Sequence, residues 1–267
     1  MKIERDLGRM LDPIARKASS FVDGHSQSRQ FAKKPITSIR MIRRCCGRGR
    51  MRMSTIITVA TMKGGSGKST LASCLAVHWH LEGRHPTIID ADPQRSIARL
   101  AARDRALDGV PVVEDATEYA CNAAHRLSLG GGLVIIDTPG FRSEITTKCL
   151  TASDFVLVPV KASPFDVDRM IDTLNMLTKS AGDRRPMFRC LLTQTTRDSV
   201  IAKHIRSELG AAGFPLLESE MTNRVIYAEA ALWGATPSLM ERAGAAARDI
   251  AAIAAEVDNI LAIRQAA

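Results

Sequence analysis

The chain is expected to form a single α/β domain with a mainly parallel sheet and helices on both faces. Two patterns predict this. Apolar runs of strand length recur, and stretches with helical periodicity lie between them. Several runs are apolar at consecutive positions, as in Leu133-Val134-Ile135-Ile136, which suits a strand buried on both faces. A third observation, a glycine-rich connection after the first run, says what the sheet is built to hold.

That first run is Ile56-Ile57-Thr58-Val59-Ala60, and the following helix is expected from Lys68 to Leu81. Between them lies Lys63-Gly64-Gly65-Ser66-Gly67-Lys68-Ser69-Thr70. Glycines there let successive N–H groups face one concavity with no Cβ in the way, and the helix adds its positive dipole end. Phosphate groups fit such a cradle. Lys68 is placed to reach the β/γ-phosphates, and the Ser69 hydroxyl to ligand Mg²⁺.

The second run, Thr87-Ile88-Ile89, ends in Asp90-Ala91-Asp92-Pro93-Gln94. By composition alone this is also an ordinary strand-ending turn. The run from Leu133 ends in Asp137-Thr138-Pro139-Gly140, so Asp137 emerges at the carboxyl end of its strand, where ligands bind in open α/β sheets. Ser153 to Val160 reads as another buried strand. A helix from Asp166 to Ser180 follows, with Val167, Met170, Ile171, Leu174 and Leu177 on one face. Arg189 to Thr193 is a further strand and Ser199 to Leu209 a further helix. From Ala246 onward, Ile250, Ile253, Val257, Ile260 and Leu261 form an amphipathic stripe. Few cations and no bulky aromatics accompany it, so it is expected to pack on the core and not on a membrane.

Charge is uneven. Residues 1–53 hold 14 Lys/Arg against 4 Asp/Glu, which more than accounts for the +9 of the whole chain. The remaining residues, 54–267, are therefore close to neutral. Arg40, Arg43, Arg44, Arg48, Arg50 and Arg52 cluster just before the first strand. This extension is expected to be an anion-binding arm, a disordered tail, or sequence upstream of a true start at Met51 or Met53. No apolar stretch approaches the roughly 20 residues a membrane span requires, and no signal-peptide core is present at the N-terminus. The cysteines (Cys45, Cys46, Cys74, Cys121, Cys149 and Cys190) contain no C-x-x-C pair and read as reduced thiols.

Met62 stands where the general phosphate-loop pattern has its first glycine, and Lys63 follows as a second lysine. From about Thr55 to the end, the chain resembles the ParA/MinD class of P-loop NTPases, whose variant Walker A loop reads K-G-G-x-G-K-S. The resemblance implies that Lys63 crosses a homodimer interface to the partner's ATP. It implies that Asp92 orients the attacking water, Asp90 lies near the magnesium shell, and Asp137 is the Walker B aspartate that holds Mg²⁺. Pro159 to Asp166 resembles the family's loop after the strand that begins near Ser153. Asn223 to Ala230, followed by Gly234 and Pro237, resembles the partition-ATPase stretch near the nucleotide base and the dimer edge. Many relatives carry a DNA-contacting arginine where this chain has Ile226. Arg224 is therefore the candidate DNA contact, with a structural salt bridge as its alternative. Arg197, Lys203 and Arg206 are companions that a solvated helix face explains as well.

The implied activity is slow ATP hydrolysis, stimulated by a ParB-like centromere-binding protein. It would time the release of a dimer from non-specific DNA on the nucleoid, in the cytoplasm. Alternatives are a MinD-like positioning ATPase at a membrane or cell pole, a factor for conjugative or T-DNA transfer, and a ligase of the dethiobiotin-synthetase kind.

Overall fold

A computed structural model of the protein describes residues 54–180 and 186–266. The basic extension, and the expectations about it, lie outside the described residues.

Seven parallel strands form one sheet in the order β3-β2-β4-β1-β5-β6-β7. The central strand β1 (Thr55–Val59) is buried throughout and pairs with β4 (Leu133–Asp137) on one side and β5 (Phe155–Lys161) on the other. β2 (Pro86–Asp90) lies beyond β4, with the short edge strand β3 (Val112–Glu114) beyond it. On the other flank β6 (Met187–Thr195) pairs with β5 and with β7 (Met221–Thr222). Register sets Val59 beside Asp137 and Asp90 beside Asp137, so three strand ends deliver the expected site residues to one edge. Neighbouring strands run to opposite sides of β1, which makes this edge the switch point where a crevice opens.

Pro159 occupies β5 without breaking it. Leu157 directs its carbonyl to β1, accepting from Ala60 N at 3.1 Å, and Pro159 faces the same side two residues later. β1 has ended there, so no ladder partner misses the absent N–H.

Helix α1 (Lys68–Leu81) has the bounds expected from the sequence. Its N-cap is Gly67 at φ 90°, a left-handed conformation that costs glycine least. α2 (Ser96–Ala101), α3 (Ala120–Ser128) and α4 (Glu144–Ala152) follow. α5 (Pro164–Ser180) begins two residues before the expected Asp166, and its apolar face is buried at Val167, Met170, Ile171, Leu174 and Leu177. α6 (Val200–Ala211) is capped by the Ser199 hydroxyl, which accepts from Ala202 N. α7 (Ile226–Leu232) and the short α8 (Pro237–Met240) lead to α9 (Ala245–Ala266).

The stripe on α9 is committed to the core: Ile250, Ile253 and Val257 are fully buried in the cluster that also holds Leu71, Leu75 and Trp79 of α1. Asp258 pins the pair of helices by accepting from Trp79 Nε1 at 3.1 Å and from Arg84 Nη1 at 2.5 Å. Among the described residues, no helix is long and apolar enough to cross a membrane. Cys74, Cys149 and Cys190 are buried free thiols, as core filling requires, and Cys121 is half-buried.

Candidate functional site

The loop from Met62 to Gly67 is shaped by its carbonyls, which are held from behind. Lys68 Nζ donates to Lys63 O at 3.1 Å, Gln194 Nε2 to Gly65 O at 2.9 Å, and Thr193 Oγ1 to Ser66 O at 2.9 Å. Gly65 and Gly67 both take positive φ, at 74° and 90°. Gly140 closes the loop from the other side: a Cβ there would sit 3.1 Å from Gly64 N and 3.2 Å from Lys68 Nζ. Any side chain at Gly140 would therefore press on the cradle.

Lys68 is buried, and desolvation pushes its ammonium pKa down while Asp137 and Asp92 oppose the shift. Asp137 is fully buried; Oδ2 accepts from Ser69 Oγ at 2.5 Å, and Oδ1 has no hydrogen-bond partner. Burial raises its pKa to about 7, with the Ser69 hydrogen bond and the Lys68 charge pulling the other way. A buried carboxylate oxygen without a partner, beside a serine hydroxyl, is a donor set that suits Mg²⁺.

Asp92 is nearly buried, with Oδ1 accepting from Gln94 N at 2.9 Å. Asp90, expected near the magnesium shell, is paired with Asp137 in the sheet and held by backbone donors. Its Oδ2 accepts from Ile97 N and Ala98 N at the start of α2, and its Oδ1 from Asp92 N. Both oxygens are engaged by backbone donors, so this carboxylate anchors α2 and the Asp92 turn. Burial raises its pKa against those three hydrogen bonds.

Lys63 does not turn into its own loop. Its Nζ donates to Asp166 Oδ2 at 2.6 Å in the first turn of α5. A third lysine, Lys161 at the end of β5, stands 3.9 Å from where a Cβ on Gly65 would lie. Asp166, Lys161, Thr193 and Gln194 were not singled out as site residues by the sequence reading. Lys161, Thr193 and Gln194 lie at or near strand ends, a signal that could have found them, whereas Asp166 lies in the first turn of α5.

The four expected DNA contacts, Arg197, Lys203, Arg206 and Arg224, line one groove of about 490 Å³ beside β6 and β7, joined by Arg248. Two of them are engaged within the fold. Arg224 Nε donates to Asp249 Oδ2 at 3.1 Å, and Arg206 bonds Glu220 Oε1 through Nε and Nη2 at 2.9 and 2.8 Å. Each has an acidic partner nearby, which is the ion pair that the alternative reading of Arg224 expects, and Arg206 is engaged in the same way. Arg197 and Lys203 are exposed, with only a loose approach to Asp198 at 3.9 and 3.6 Å.

A glycine-rich cradle at a switch point, a buried lysine and a buried aspartate with one free oxygen define an α/β nucleotide-binding domain. A family model described as the CobQ/CobB/MinD/ParA nucleotide binding domain matches residues 57–236, and the chain belongs to this family. It is 26% identical over 179 residues to protein ParA of Rhizobium radiobacter, covering 64% of this chain and 80% of the relative. It is 28% identical over 210 residues to the maintenance of carboxysome distribution protein A of Halothiobacillus neapolitanus, covering 77% and 94%. The septum site-determining protein MinD of Pyrococcus horikoshii, solved with Mg-ADP, superposes with a TM-score of 0.63 at 18% identity. That match covers 79% of this chain and 98% of MinD.

Proposed function

We propose that the chain is a ParA-like ATPase that dimerises when it binds ATP, holds DNA without sequence preference, and lets go when a partner stimulates hydrolysis. The observation that carries this is the division of labour between two lysines. Lys68 is buried behind its own loop, whereas Lys63 is carried to the rim, part-exposed, on a single carboxylate. A lysine at the rim has little to do for its own nucleotide and is free to serve a facing copy once Asp166 gives it up.

Ser69 and Asp137 would hold Mg²⁺, which when bound neutralises phosphate charge. Lys68 would hold the terminal phosphates, and Asp92 would orient water for an in-line attack. ATP binding would thus join two copies and hydrolysis would part them, since ADP offers Lys63 no γ-phosphate. Arg197, Lys203 and Arg248 offer the cations for a phosphate backbone, a contact that is salt-sensitive and indifferent to sequence. Slow turnover, the ParB-like partner and the nucleoid location belong to the same reading.

Size measurement with Mg²⁺ and a non-hydrolysable ATP analogue tests it, alongside retention on random-sequence DNA. The expected result is a dimer that binds DNA only with the analogue, and a Lys63→Ala variant that binds nucleotide yet stays monomeric. A wild-type monomer at saturating analogue would refute the dimer switch.

A further inference from the structure

We infer that Gln194 is a positioning residue for the phosphate loop, holding its carbonyls outward so that its N–H groups face the ligand. The inference rests on the nucleotide-binding reading above.

Gln194 is in an unusual place. It sits near the end of β6 at φ 53°, a left-handed conformation that glutamine rarely adopts. The β6–β7 ladder slips there, with a register shift between Thr193 and Thr195. The slip re-aims one side chain, a familiar use of a bulge near a site. The re-aimed amide reaches 129 residues back in the sequence to donate from Nε2 to Gly65 O at 2.9 Å. The same nitrogen lies 3.8 Å from where a Cβ on Gly67 would be, so it covers both left-handed glycines.

Thr193, immediately before it, donates to Ser66 O at 2.9 Å. Two adjacent residues of β6 therefore secure two adjacent carbonyls of the loop. Rotating the peptide that Gly65 O belongs to would break the Gln194 bond and turn a carbonyl dipole toward the phosphate. Glycines permit that rotation at little steric cost, which is why a loop made of them needs an external hold. Strained backbone persists only where its surroundings require it, and here the compensation is the loop's shape.

Substitution by glycine separates this role from a merely structural bulge. Gln194→Gly keeps the positive φ without strain and removes only the amide. The expected result is a melting temperature close to wild type without nucleotide and an affinity for a fluorescent ATP analogue with Mg²⁺ about 5- to 10-fold weaker. Gln194→Asn keeps an amide and tolerates the left-handed conformation but falls one methylene short, so its affinity should drop similarly. If either folded variant binds the analogue as wild type does, the positioning role is overturned. If wild type itself does not bind the analogue, the nucleotide-binding reading fails instead.

Discussion

Lys63 Nζ and Asp166 Oδ2 are 2.6 Å apart, although the residues are separated by 103 positions in sequence. The pair is lopsided: the lysine side chain is 37% exposed and the aspartate 4%. Asp166 Oδ1 is buried and has no hydrogen-bond partner. Losing the lysine would leave a buried carboxylate uncompensated, a costly state. This contact therefore holds Lys63 in cis and opposes any role for it in trans.

Removing that opposition should make closure easier. Asp166→Asn keeps the shape and deletes the charge, so Lys63 departs without stranding an anion. Because the lysine end of the pair is 37% exposed and screened by solvent, a gain of roughly 1 kcal/mol is expected, and dimerisation should need about 5-fold less nucleotide. Sedimentation velocity across an analogue titration reads this directly. A rightward shift of the curve would mean that Asp166 serves the closed form instead.

Asp137 gives a pH signature. Burial lifts its pKa from 3.8 to about 7, so the folded protein keeps a proton that the unfolded chain has released. Its contribution to stability is full below 3.8 and is lost as the pH rises past about 7. Ligand-free protein should therefore lose this contribution as the pH rises from about 3.8 to about 7. Asp137→Asn should flatten that dependence and raise the melting temperature at pH 8, by about 2–4 °C for each kcal/mol relieved. The same variant should lose the added stability that Mg²⁺ gives with nucleotide. Should Asp137→Asn melt lower than wild type at pH 8 without ligand, the buried-charge account is wrong.

Asp92 is the candidate for directing water. Only Oδ1 is tied down, by Gln94 N, and the carboxylate is near enough to Lys68 for its charge to oppose the lowering that burial imposes on that lysine's pKa. Asp92→Ala should slow phosphate release on the order of 100-fold while nucleotide affinity stays within about 3-fold. Hydrolysis at the wild-type rate would assign the task elsewhere.

Local features were legible in the sequence because local spacing dictates them. The cradle, α1 and Asp137 are each set by residues a few positions apart. What was missed is of two kinds. The edge strands β3 and β7 have three and two residues, too short to carry a period. The contacts of Lys63, Thr193 and Gln194 join residues more than 100 positions apart, which no spacing encodes. Asp90 was placed near the magnesium shell by family resemblance. The sequence did not show that the start of α2 also claims it, through donors seven and eight residues on. Arg224 could be assigned only once α9 had placed Asp249 against it.

The groove cations divide on the same ground. Arg224 and Arg206 have partners, so Arg224→Ala leaves the mostly buried Asp249 unpaired and should destabilise the fold by about 1–3 kcal/mol. Arg197 and Lys203, at 95% and 70% side-chain exposure, hold nothing in place. Reversing both to Glu should leave the melting temperature and ATP-dependent dimerisation unchanged. DNA retention should weaken, and the slope of log K against log salt should become about 2 units shallower. The slope matters more than the affinity, because it counts lost phosphate contacts and is insensitive to a partly inactive sample. An unchanged slope in a folded, dimerising double variant would move the DNA contact away from this groove.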